Sequence, residues 1–219
     1  MQSRWRSPVS QSVRPGATPP GAKPPGTARP GGRTAQNRAA VVGATLSELA
    51  EHGYERTTVE SVAIRAGVHK TTVYRRWRTK ERLVTEALEA TAEVQIGVPD
   101  TGDLALDLQT LARGVRSVLM STVGSAAVRA LVSGAQSSPE VARVLRTFWA
   151  GRLTKVIPVV ERAVADGRLP QGTDAIELMK YLAAPLFHRI LVTGEPVTEA
   201  DADRAATVVL VAGRAGVFV

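Results

Sequence analysis

The 219-residue chain contains no cysteine, which removes disulfide cross-links, thiolate metal ligands and thiol nucleophiles from consideration and suits a cytoplasmic protein. Aromatic residues are few: three tryptophans, three tyrosines and three phenylalanines. The histidines are His52, His69 and His188, too far apart in sequence to suggest a metal-binding group. No apolar run approaches the ~18 residues that a membrane-spanning helix requires. Nor is there a glycine-rich loop followed by a phosphate-gripping lysine, or a serine with a base and an acid at useful spacing. These absences argue against an enzyme and imply neither a cofactor nor a metal site.

Negative charge is missing from one region. Residues 1–36 hold six basic residues and no acidic one, residues 37–94 hold nine and eight, and residues 95–219 hold thirteen and twelve. Most of the formal net charge of +8 therefore lies in the tail. Rich in Pro, Gly and Arg, as in Pro19-Pro20-Gly21 and Pro30-Gly31-Gly32-Arg33, residues 1–33 are expected to be disordered. They lack the continuous apolar segment of a secretory signal. The tail reads either as a basic arm that adds nonspecific attraction to DNA or as an inert extension.

What is present centres on residues 57–77. Thr57 followed by Glu60 predicts a capping box and a helix starting near Val59. Val59, Val62, Ala63 and Ala66 form one apolar face, and Gly67 supplies a left-handed stop. After the turn Gly67-Val68-His69, a second helix from Lys70 to Trp77 turns Val73 and Trp77 inward. Lys70, Thr71, Thr72, Tyr74, Arg75 and Arg76 are left facing out. This is the layout of a helix-turn-helix whose second helix enters the DNA major groove. Between Arg65 and Arg82 seven basic residues face a single acid, Glu81, a local excess suited to phosphate.

Around this core, Leu49-Ala50-Glu51-His52-Gly53-Tyr54, Thr57-Thr58-Val59, Ala66-Gly67-Val68, Thr72-Val73-Tyr74 and Thr79-Lys80-Glu81-Arg82-Leu83 occur in order within residues 38–88. This stretch resembles the N-terminal domain of the TetR family of transcriptional repressors. The resemblance implies an all-α homodimer that binds a double-stranded, roughly palindromic operator and is released by a small-molecule effector. It also implies that Thr57 and Thr58 meet phosphate at the start of one helix and that Lys80 does so at the start of another. Lys70, Thr71, Thr72, Tyr74, Arg75 and Arg76 would face the groove, with the two arginines as candidates for guanine contacts. Arg38 is a further candidate for phosphate.

The rest of the chain also reads as helix. The first helix spans about Thr34 to His52 and ends at Gly53, and Thr79 caps another running to about Val94. Gly97-Val98-Pro99-Asp100-Thr101-Gly102 breaks the pattern. Helices follow from Asp103, Ser125, Ser138, Thr173 or Asp174, and Glu199, with a kink expected at Pro158. The expected fold is all-α, with about nine helices: a helix-turn-helix unit in residues 34–94, then a ligand-binding and dimerisation bundle in residues 95–219. The last two helices are apolar over more than one face, which predicts a four-helix dimer interface through Val209 and Leu210. Ala205, Ala206, Gly213 and Gly216 would allow close approach there. The segment Ala183 to Pro196 also resembles the C-terminal domain of one large subgroup of these regulators, where it supplies part of the dimer surface.

Met120, Phe148, Trp149, Met179 and Phe187 are candidates for the walls of a ligand pocket between helices, with His188 as a polar group for the ligand. Each also fits plain core packing. From other classes, the alternatives are an all-α enzyme or a dimeric scaffold that does not bind DNA.

Overall fold

The computed structural model describes residues 32–219, so the expectations for residues 1–31 lie outside the described residues. Nine α-helices, and no strand, are found among the described residues. They are α1 (Gly32–Arg56), α2 (Val59–Ala66), α3 (Lys70–Trp77), α4 (Lys80–Gln95), α5 (Leu104–Met120), α6 (Thr122–Ala135), α7 (Pro139–Ala165), α8 (Ala175–His188) and α9 (Glu199–Arg214). A π-helical turn, Arg189–Thr193, extends α8 and ends at Gly194. No single described helix is long and apolar enough to cross a membrane.

Side-chain oxygens set most helix starts by taking orphan amides of the first turn. Thr79, Ser138, Asp174 and Thr198 accept from Arg82, Val141, Ile176 and Asp201 respectively. The predicted capping box shifts by one residue at α2: Thr58 is the N-cap and Ser61 its reciprocal partner, in place of Thr57 and Glu60. Thr57 is fully buried, and its hydroxyl donates to the Gly53 carbonyl at 2.7 Å. Gly53 itself, at φ 72° and ψ 175°, sits in a region open only to glycine and breaks α1 before its last turn. As expected, α7 opens after Ser138 and runs on through Pro158, reaching Ala165 just before Asp166-Gly167.

The α1–α4 segment closes around Val41, Ala44, Val59, Val62, Ala63, Val73, Trp77 and Leu83. A second cluster joins α1 and α4 to α6 and α7 through Leu49, Tyr54, Val84, Leu131 and Val144. The largest cluster draws on α5, α7, α8 and α9. Its composition corrects the expected interface: Val209 is 2% exposed and packs inside its own chain. Ala205, Ala206 and Gly213 are buried there too, and a methyl added at Gly213 would meet Leu169 at 3.0 Å. The small residues of α9 thus let it dock on its own subunit, while Val208 and Val211 face outward.

Candidate nucleic-acid interface and helical cavity

Helix α3 is held from below by Val73 and Trp77, both buried. With about 100° between successive side chains of a helix, Arg75 projects furthest from those two anchors and Thr71 stands beside it. Both are exposed, as are Lys70, Tyr74 and Arg76, while Thr72 is half-buried. Tyr74 leans towards α2, its hydroxyl donating to Glu60 at 3.1 Å. Arg76 leans towards α4, with Nη2 3.5 Å from Glu86 and its guanidinium 5.3 Å from the Trp77 ring centroid. Arg38 meets the same Glu86 carboxylate at 2.7 Å.

Ion pairing redistributes the basic charge counted in the sequence. Arg65 is neutralised by Glu48 at 2.6 Å and by a two-pronged pair with Glu51, which raises its pKa, so it belongs to the α1–α2 junction. Lys80 is partly covered: its ammonium lies 4.2 Å from the centre of the Tyr54 ring and donates to the Tyr54 carbonyl at 3.3 Å. Lys70, Arg75, Arg78 and Arg82 have no carboxylate partner among the described residues. Thr58 is exposed at the α2 start, whereas buried Thr57 offers no hydroxyl to phosphate. Arg78, not singled out by its sequence, adopts φ 62° and ψ −40°, and the Thr79 amide donates back to the Trp77 carbonyl at 2.7 Å. That is a strained γ-turn. It swings the chain from α3 into the Thr79 cap of α4 within one residue.

A cavity of about 300 Å³ lies between α4, α5, α6, α7 and α8. Of the six candidate ligand-binding residues, four line it: Phe148, Trp149, Met179 and Phe187. Trp149 stacks edge-on with Phe148 and Phe187, at centroid distances of 5.2 and 5.4 Å. Met120 and His188 are outside it. Met120 ends α5 at the surface, where its sulfur accepts the Val197 amide at 3.3 Å, and His188 follows Phe187 by one residue and so points away, into solvent.

Two further parts of the cavity escaped the sequence reading. Leu88, Ala92 and Ile96 place α4, the helix that follows α3, in its wall. Arg152 of α7 is also in the wall, only 8% exposed, with Nη2 donating to the Ile96 carbonyl at the end of α4. Burial lowers its pKa, and the charge of Glu93 acts in the opposite sense. Its spacing held a signal: Phe148, Arg152 and Val156 repeat at four residues, which puts a cation on an apolar face. Neighbouring α7 cations hold the same end of α4 and the segment after it. Lys155 pairs with Glu93, and Arg162 meets the Pro99 carbonyl at 3.0 Å and Asp100 at 3.1 Å. On α5, Gly114 accepts this end of α4 closely, since a methyl there would lie 2.9 Å from the Gln95 oxygen.

Residues 41–87 match the family described as bacterial regulatory proteins, tetR family, and residues 98–209 match the tetracyclin repressor-like C-terminal domain. The HTH-type transcriptional regulator AqdR of Rhodococcus erythropolis is 34% identical over 143 residues, covering 65% of this chain and 69% of that protein. The DNA-binding transcriptional repressor TetR of Mycobacteroides abscessus is 32% identical over 166 residues, covering 74% and 85%. A crystallised TetR family transcription regulator, SCO0332, superposes with a TM-score of 0.66 at 30% identity, over 80% of this chain and 97% of that one. These relatives are transcriptional regulators, not enzymes. With both halves matched, and with the recognition-type helix α3 on its buried anchors, the chain belongs to the TetR family of DNA-binding transcriptional regulators.

Proposed function

We propose that the protein is a homodimeric repressor that holds a palindromic operator through the α3 helices of two copies and releases it when a small-molecule effector enters the cavity. Residues 34–94 form the DNA-binding unit, and residues 95–219 form the effector and dimerisation unit. One observation carries this reading above others: Leu88 and Ala92 of α4, with Ile96 that caps its end, line the cavity, while the other end of α4 packs under α3 through Leu83. A molecule lodged among these helices bears on the element that sets the position of α3. Repression, as opposed to activation, is supported by the name of the M. abscessus relative.

At the DNA, Arg75 and Thr71 enter deepest, with Arg75 as the guanine reader. Lys70, Thr72, Tyr74 and Arg76 flank it, and Thr58, Arg38 and Lys80 contact phosphate. Arg76 and Arg38 give up Glu86 as phosphate approaches. A second copy packs on the outward face of α8 and α9, where Tyr181, Val192, Val208 and Val211 are exposed apolar residues; a two-fold protein matches a palindromic site. Footprinting upstream of the protein's own gene and its neighbours tests this function. A protected inverted repeat is expected, and equal affinity for all sequences would overturn it.

A further inference from the structure

We propose that the effector is an apolar monocarboxylic acid whose carboxylate pairs with Arg152 while its hydrocarbon body lies among Phe148, Trp149 and Phe187. This rests on the cavity being the effector site.

Arg152 is the one ionisable residue in the cavity wall, and every other wall residue is aliphatic, aromatic or methionine. A guanidinium stays protonated at any accessible pH, so the cavity carries a fixed positive charge. No carboxylate of the described residues pairs with Arg152, and Glu93, whose field reaches it, is taken by Lys155. One N–H group is spent on the Ile96 carbonyl, a neutral acceptor that leaves the charge uncompensated. Desolvated charge without a counter-ion is costly, and a ligand that brings the missing charge relieves that cost on binding. The planar fork of arginine suits a carboxylate, which it can grip with two parallel hydrogen bonds. A single negative charge balances a single guanidinium, whereas a phosphate dianion would leave an excess of negative charge among apolar walls.

The same pairing supplies the switch. A carboxylate drawing on Arg152 competes with the Ile96 carbonyl, one of the contacts that hold the carboxyl end of α4 against α7. An acid therefore both fills the cavity and loosens α4, while a neutral molecule of the same shape only fills the cavity.

Matched pairs of probes test the idea on the full-length protein: decanoate against decanol, and naphthylacetate against naphthylethanol. Binding is followed by calorimetry at fixed ionic strength and by the change in total tryptophan fluorescence, to which Trp149 in the cavity wall contributes. In the wild type each acid should bind about tenfold or more tightly than its alcohol. Arg152→Met should remove that preference and leave the alcohols within about twofold, and Arg152→Lys should restore part of it. Alcohols that bind as tightly as the acids would overturn the carboxylate assignment and leave the cavity as the effector site. Failure of both acids and both alcohols to bind would remove the cavity reading itself, and this assignment with it. Because the first comparison uses only the wild type, it decides the matter even if the Arg152 variants fail to fold.

Discussion

The two ends of α4 rest on cores of opposite kinds. Near its start, Val62, Val73 and Leu83 are wholly enclosed and Trp77 is 3% exposed, so the cluster beneath α3 is filled. Towards its end, the walls of α4, α5, α6, α7 and α8 surround a space of about 300 Å³. A filled core resists displacement because close-packed side chains have discrete arrangements and little free volume. Atoms facing a void lack partners on one side, and a ligand can supply the contacts they are missing. The filled end is therefore suited to presenting α3 in one orientation, and the hollow end to having more than one stable state.

Truncating a side chain in each core breaks this comparison if it is wrong. Trp77→Ala should cost about 3–5 kcal/mol of stability, as for a large aromatic removed from a packed site. Phe187→Ala should cost less than half as much, because its ring already borders free space. Chemical denaturation curves for the two variants provide the check, and equal losses would mean that the bundle is as tightly filled as the core under α3.

The outer face of the hollow half is the proposed dimer contact. Val208→Arg combined with Val211→Arg should yield monomers, since burying unpaired charge costs several kcal/mol. Sedimentation should report half the wild-type mass with the helical content unchanged. On the filled half, Arg75→Ala should weaken operator binding by about 1–3 kcal/mol and relax the preference at one base pair per half-site. Lys80→Ala should weaken operator and random DNA alike. Anisotropy titrations on both DNAs separate these outcomes, and a uniform loss for Arg75→Ala would move that residue to the phosphate contacts.

The smallest effect is expected at the strained link between α3 and α4. Arg78→Gly should raise stability by roughly 1 kcal/mol, because glycine tolerates the positive φ that arginine holds there. It should weaken DNA binding modestly by removing an exposed cation. A drop in melting temperature would show that the arginine side chain supports the turn.

Much of the fold was legible because hydroxyl and carboxylate caps and apolar periodicity act locally. Thr79 and Ser138 mark their helices correctly by side-chain chemistry alone, and of the two candidates Thr173 and Asp174 the cap is Asp174. The shift from Thr57 to Thr58 was not legible: adjacent threonines are equivalent caps until the burial of one decides between them. The run Val208 to Ala212 is apolar without a period, so nothing in it distinguishes inward Val209 from outward Val208 and Val211. The cavity was only half visible for a related reason. Phe148, Trp149, Met179 and Phe187 have the same helical spacing whether they fill a core or wall a void, and only the packing of five helices distinguishes the two. Met120 and His188 have apolar sequence neighbours, but their positions at a helix end and one residue past an inward ring turn them out of the cavity. Arg152 could have been flagged, since a cation at the four-residue repeat of an apolar face has to be accounted for.

The central claim is that occupancy of the hollow half changes the DNA affinity of the filled half through α4. Ala183→Phe tests it most directly, because Ala183 lies on α8, in the cavity wall and away from α4 and DNA. The added ring acts as a tethered occupant, and the measurement is operator affinity by fluorescence anisotropy on the folded variant. Operator binding should fall by about 5–150-fold, the usual range of coupling between two sites, while affinity for random DNA changes little. An operator affinity equal to that of the wild type, in a protein whose Trp149 fluorescence shows the new ring inside the cavity, would contradict the account.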